Sequence, residues 1–268
     1  MRDFEHIEAG THVVPAQRRE RIASRLLAAG SVTVQELETE FGVSPMTARR
    51  DLHILEREGR AHRTHGGAVR PARAQHEDSF EVRLGQAADA KRRLAHVALE
   101  HVADGEAVFV DCSTTAFVAL RELLASGRRM TVLTNSVAVM DLVAKTDLPG
   151  TDLIGLAGSL RKTTRSFVGP VTVAAIERHF ADKLLFSVNG VAPGGMLTDA
   201  DPLEAEVKRA MVRQARESVL LVDGTKFDRA GLSAITDVSD MATVLVADVG
   251  ADRLSALTRA GVRVEVVT

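Results

Sequence analysis

The chain of 268 residues contains a single cysteine, Cys112, and neither tryptophan nor tyrosine. One thiol excludes an intramolecular disulfide and any site built from several cysteines, and it suits a reducing compartment. Nine Phe are the whole aromatic complement, too little to stack on exposed bases as a single-strand RNA binder does. No run of about 18 apolar residues exists to span a bilayer, and no basic stretch followed by an apolar one opens the chain. These absences predict a cytoplasmic protein without membrane association. Also missing are a Gly-x-x-x-x-Gly-Lys phosphate loop, a His-Glu-x-x-His pair and a Gly-x-Ser-x-Gly elbow, so neither a metal site nor a cofactor is expected.

What is present is an ordinary globular composition, 45% hydrophobic and 26% charged, long enough for a small domain beside a medium one. The net charge of -2 hides an asymmetry. Residues 17–73 hold eleven Arg against seven acidic residues, a net of +4, while residues 1–16 carry -2 and residues 74–268 carry -4. A basic module on a slightly acidic body is the footprint of a domain that meets phosphates, although a solvated helical surface would give the same count.

Residues 1–16 show no period and read as an arm. From Arg18 to Ala29 the spacing of Ile22, Leu26 and Ala29 predicts an amphipathic helix stopped by Gly30. Ser31–Val34 reads as an extended link, and Gln35–Phe41 as a second helix closed by Gly42. Ser44 followed by Pro45 opens a third, with serine as cap and proline at the first helical position. At about 100° per residue, Ala48, Leu52 and Leu55 share one face of it, opposite Met46, Arg50 and His53, with Thr47 and Arg49 alongside. Gly59 closes this helix, and Arg63, Thr64 and His65 precede the turn Gly66-Gly67, which predicts a basic two-stranded wing. Each piece has a plain alternative, surface arginines and a loop, but together they spell a winged helix-turn-helix over residues 17–73. The candidate DNA contacts are Ser44, Thr47, Arg49, Arg50, His53, Arg63 and His65, since arginine grips guanine edges in a fork and hydroxyls suit phosphates. One such helix covers too few base pairs to be selective, so a homodimer or homotetramer on a double-stranded operator is expected.

The run Val43-Ser44, Thr47, Arg49-Arg50-Asp51-Leu52, Leu55, Gly59 and Arg63-Thr64-His65-Gly66-Gly67-Ala68 resembles the DNA-binding domain of the DeoR family of bacterial regulators. It departs at Ala48, where the family usually has a larger aliphatic residue.

Residues 74–90 read as a linker ending in a helix, and residues 91–268 as an α/β domain. Apolar, β-rich runs at 107–110, 130–133, 153–156, 184–188, 219–222, 243–246 and 262–267 alternate with helical stretches, the pattern of a mostly parallel sheet covered on both faces. Ligands of such sheets bind beyond the C-terminal strand ends, where polar residues gather here. Asp111 precedes Ser113, Thr114 and Thr115 at a helix start suited to an anion. Further strands end at Asn135, Gly158, Asn189-Gly190 and Asp223 to Lys226. Lys226 is a candidate phosphate partner, and Glu206 and Lys208, on a helix opened by Pro202, are candidates for hydroxyls or ions. Helix caps and exposed charges are the plain alternatives for these residues.

This region also resembles the DeoR family, in its C-terminal sensor domain, through Asp111, Ser113–Thr115, Thr134–Ser136, Phe167–Pro170, Gly195, Leu197-Thr198, Glu206–Lys208 and Asp223–Phe227. The resemblance implies a fold similar to those of ribose-5-phosphate isomerase and CoA-transferase, a phosphorylated sugar-like effector, and control of carbohydrate genes, by family habit as a repressor. Cys112-Ser113 and Asn189 depart from the common family pattern at the presumed ligand edge. The alternatives are a sugar-phosphate isomerase or transferase, with Glu206 or Asp223 as base, and an architectural DNA binder without a ligand. The Arg-faced helix and wing weigh against the first, the convergent polar loops against the second.

Overall fold

The computed structural model describes residues 14–57, 60–64, 66–69, 78–227 and 229–268. Two compact units divide the chain, 1–76 and 77–268. In the first, helix α1 (Pro15–Ala29) ends at Gly30 in left-handed backbone, φ 80°. The helix starts three residues earlier than its periodicity suggests, because Pro15 is well suited to a first turn. Strand β1 (Ser31–Thr33) follows, then α2 (Val34–Phe41), which opens on a reciprocal cap between Thr33 and Glu36. Helix α3 runs Pro45–Arg57, and β2 (His62–Thr64) and β3 (Gly67–Val69) form the wing.

β3 lies centrally, antiparallel to both β1 and β2. The segment expected as a mere link is thus the wing's third strand. Gly67 makes this possible, since a Cβ there would collide with the Val32 carbonyl oxygen. Ile22, Leu26, Leu37, Leu52 and Leu55 are fully buried around Ala48 and Ala68. Residues 1–13, Gly59 and His65 lie outside the described residues.

The second unit begins earlier than the expected domain. Residues 80–90, expected within the linker, form α4 (Phe80–Gly85) and the start of α5 (Ala88–Ala98). Phe80 is buried and meets Phe117 edge to face at 5.4 Å, an apolar anchor that the polar sequence around it conceals. Strand β4 (Ala107–Val110) leads into α6 (Thr114–Ala125), β5 (Met130–Thr134) into α7 (Val137–Ala144), and β6 (Thr151–Gly155) into the short hairpin β7 (Ser159–Arg161) and β8 (Ser166–Val168). After α8 (Pro170–Ile176) come β9 (Ala181–Phe186), β10 (Gly190–Val191) and β11 (Met196–Asp199), then α9 (Pro202–Gln214), β12 (Ala215–Asp223), β13 (Ser233–Asp237), β14 (Thr243–Ala247), α10 (Ala251–Arg259) and β15 (Arg263–Val267).

Seven strands form one sheet in the order β15-β14-β12-β9-β4-β5-β6, with every pairing parallel. The seven apolar runs of the sequence are these strands. Their side chains alternate between two cores, as the pleat requires. Phe109, Leu184, Phe186, Leu220 and Val244 pack on one face with α9, while Val108, Val110, Leu185, Leu221 and Leu245 pack on the other with α5 and α6. A smaller antiparallel sheet, β10-β11-β13, was not foreseen, because strands of two to five residues leave no usable period. Among the described residues no helix is long and apolar enough to cross a membrane.

Candidate functional site: a recognition helix and a cationic cavity

The two functional regions are built on separate units. On α3, the Ser44 hydroxyl accepts the Thr47 backbone N–H at 3.2 Å and so caps the helix. The apolar stripe turns Ala48, Leu52 and Leu55 into the core, which forces Arg49, Arg50 and His53 outward, where all three are exposed. Asp51, on the inner side, is buried and binds Arg18 of α1 at 2.6 Å, with Arg19 at 3.6 Å. Of the neighbouring Arg49-Arg50-Asp51 triplet, two residues therefore face solvent and one ties the recognition helix to α1. From the wing, Arg63 on β2 brings its guanidinium to 3.5 Å from His53 Nδ1 and 3.9 Å from Glu56. Ser44, Thr47, Arg49, Arg50, His53 and Arg63 thus belong to α3 and the wing strand beside it.

In the second unit a cavity of about 330 Å³ opens at the C-terminal ends of β4, β9 and β12. Ser113, Thr114 and Thr115 line it at the start of α6, where Ser113 caps the helix through the Ala116 N–H at 3.1 Å. Asn189, Lys208 and Lys226 line it too. Asp111 is fully buried behind Ser113 and accepts its N–H and hydroxyl.

The remaining expected residues stand elsewhere. Asn135 donates to the Phe167 carbonyl at 2.8 Å, joining the end of β5 to β8, and does not line the cavity. Gly158 is a packing glycine, since a Cβ would strike the Thr172 hydroxyl, and Gly190 likewise admits the Arg229 carbonyl. Glu206 is exposed and pairs with Arg209 at 3.9 Å. The phase of α9 instead buries Glu204 and Lys208, one turn apart. Glu204 receives hydrogen bonds from Thr164 at 2.7 Å, Ser166 at 2.6 Å and the Cys112 thiol at 3.0 Å. Burial and the Glu204 charge push the Cys112 thiol well above its ordinary range, so it is an inert structural group.

Six polar or charged lining residues escaped the sequence reading: Arg83, Gln86, Lys91, Ser187, Asp199 and Arg229. The first two sit in the stretch read as a linker. Lys91 Nζ donates to the Arg83 and Gln86 carbonyls, the latter at 2.6 Å, and so holds the bend between α4 and α5 in place. That bend includes Ala87 with φ 47°.

Charge is unevenly distributed in the cavity. Arg83, Lys91, Lys226 and Arg229 line it, with Asp223 as the carboxylate among them. Burial lowers the Lys91 ammonium to about 8, and the charge of Lys226 adds to this. Burial lowers Lys226 too, with Asp223 opposing. Lys208, also in the lining, brings its Nζ to Asp199 at 2.8 Å, Asp111 at 3.3 Å and the Ser187 carbonyl at 2.7 Å. Burial alone would lower Lys208, but the two carboxylates outweigh it and hold the ammonium charged. Burial raises Asp111, against the pull of Lys208.

Comparison with known proteins agrees with this division. Residues 18–74 match the DeoR-like helix-turn-helix domain, and residues 86–248 match the DeoR C-terminal sensor domain. The chain is 31% identical over 215 residues to the transcriptional regulator IolR of Bacillus subtilis, covering 80% of this chain and 84% of that one. It is 30% identical over 210 residues to the transcriptional repressor GlcR of the same organism, covering 78% and 80%. The L-fucose operon activator of Escherichia coli is 29% identical over 232 residues, covering 86% and 94%. Among solved structures, ribose 5-phosphate isomerase A from Methanocaldococcus jannaschii overlaps 52% of this chain and 54% of its own at 18% identity, with a TM-score of 0.39. With both domains matched in order, the chain belongs to the DeoR family of DNA-binding transcriptional regulators.

Proposed function

We propose that the protein represses carbohydrate-metabolism genes in the cytoplasm, binding operator DNA through α3 and the wing and releasing it in response to a phosphorylated sugar-like effector held in the second unit. The observation that carries the reading is that Arg83, Lys91, Lys226 and Arg229 line one cavity together with Ser113, Thr114 and Thr115 at the start of α6. A helix N-terminus and several cations together suit a phosphate monoester, which carries up to two negative charges. The names of GlcR and of the L-fucose operon activator associate those relatives with repression and with a sugar operon, and both cover most of this chain. Relief of repression requires the effector to favour one conformational state over another, since equal affinity for both shifts nothing.

Selectivity for an operator calls for two recognition helices, so the working form is a homodimer or homotetramer. Of the two candidate bases for isomerase chemistry, Glu206 faces solvent, while Asp223 lines the cavity and accepts the Thr225 N–H at 2.8 Å. A thermal-shift screen of pentose and hexose phosphates tests the reading, because a ligand that binds only the folded chain raises its melting temperature. At least one sugar phosphate stabilises the protein under this account, while the parent sugar without phosphate does not. Conversion of ribose 5-phosphate to ribulose 5-phosphate by the pure protein would favour the enzyme instead.

A further inference from the structure

The surroundings of Lys208 have a chemistry of their own. Lys208 spends its three ammonium hydrogens on Asp111, Asp199 and the Ser187 carbonyl, so it has no proton left for a ligand. The cluster of two carboxylates and one ammonium is net negative, which repels a phosphate and accepts hydroxyl protons. Ser187 itself lines the cavity, and its hydroxyl is buried and makes no hydrogen bond among the described residues. Asp199 and Asn189 line the cavity too. A hydroxyl buried without a partner carries a desolvation cost that a polar ligand group removes on arrival.

Resting on the effector reading above, we propose that Ser187 and Asp199 form a hydroxyl-reading pole on the Lys208 side of the cavity, with Ser187 as a specificity-determining residue. The ligand's phosphate sits among Arg83, Lys91, Lys226 and Arg229, and its hydroxylated end against Ser187 and Asp199. Orientation follows from charge, positive around Lys226 and negative around the two carboxylates at Lys208. The pole discriminates strongly for a physical reason: a site built to hydrogen-bond a hydroxyl leaves its own polar groups unpaired when an analogue lacks it. Lys208 is a positioning residue, holding Asp199 and the Ser187 backbone.

The test measures affinities of the full chain for inorganic phosphate, methyl phosphate and a set of pentose and hexose phosphates, in the wild type and in Ser187→Ala. The wild type should bind its best sugar phosphate at least about tenfold more tightly than methyl phosphate. Ser187→Ala should shrink that ratio about fivefold, the equivalent of one ordinary net hydrogen bond, and leave inorganic phosphate affinity unchanged. The milder Ser187→Thr, which keeps a hydroxyl, should retain more of the ratio than alanine and guards against a packing artefact. Equal binding of methyl phosphate and every sugar phosphate, or a ratio untouched by Ser187→Ala, overturns the pole while the phosphate site stands. Failure of all phosphates to bind overturns the effector reading and the pole together.

Discussion

Arg18 Nε lies 2.6 Å from Asp51 Oδ2 in the interior of the DNA-binding unit, with both side chains almost completely buried. The pair joins the first helix to the third and fixes how the recognition face is presented. Asp51 thereby faces the interior while Arg49 and Arg50 face solvent.

Asp51→Ala leaves the Arg18 charge buried without its main carboxylate. Removing one partner of a buried pair costs about 3 to 5 kcal/mol, and Arg18 has further contacts that soften the loss toward the lower figure. Hydrogen exchange should show faster exchange of α1 and α3 amides and little change in the seven-stranded sheet. Unaltered protection in α1 and α3 would remove the pair's structural role.

Arg49→Ala with Arg50→Ala should weaken operator binding while the fold persists, since both side chains are exposed and the core face of α3 is untouched. A lost bidentate base contact costs about 1 to 3 kcal/mol, and a lost phosphate contact lowers the salt slope by about one. Fluorescence anisotropy on a duplex selected from a random library, run at several salt concentrations, separates the two. Wild-type affinity in the double variant would mean that another surface meets DNA.

Much of this arrangement is legible in the sequence because it is local. Ser44-Pro45, the stripe Ala48, Leu52 and Leu55, and the seven apolar runs each announce an element through short-range chemistry. Legibility is weaker where charges interrupt an apolar stripe. Glu204, Glu206 and Lys208 are all charged, so charge does not say which side of α9 turns inward; the stripe of Val207, Ala210 and Met211 does, and it carries Glu204 and Lys208 with it. Arg83 and Gln86 were hidden for a different reason. The short helix that holds Arg83 and is capped by Gln86 has one deep apolar anchor, Phe80, and a single anchor makes no period.

Lys91 gives the cavity a pH signature. Its folded value near 8 lies below the ordinary lysine value of 10.5, so between those limits the unfolded chain binds more protons and this group's contribution to stability rises with pH. Below pH 8 the ammonium is charged in both states and carries its full burial penalty. A phosphate beside it, with Arg83, Lys226 and Asp223 as the other charges near it, favours the protonated form. Binding of the active sugar phosphate at pH 8.5 should therefore take up protons, and near pH 6.5 this uptake should vanish. Calorimetry in two buffers of different ionisation enthalpy reads it directly, and Lys91→Met should reduce it, leaving the share of Lys226, which burial lowers as well. Absence of uptake at pH 8.5 would place the anion away from Lys91.

The most direct test of the whole account titrates operator duplex with wild-type protein and with Lys226→Ala, each with and without the sugar phosphate that stabilises the wild type. Lys226 lines the cavity of the second unit, so the substitution should leave operator affinity near normal. In the wild type the effector should lower DNA affinity by roughly 5- to 150-fold, the ordinary span of a coupling of about 1 to 3 kcal/mol. In Lys226→Ala that response should disappear. An undiminished response in the variant, or a wild type whose DNA binding ignores every sugar phosphate, would contradict a phosphate-gated regulator.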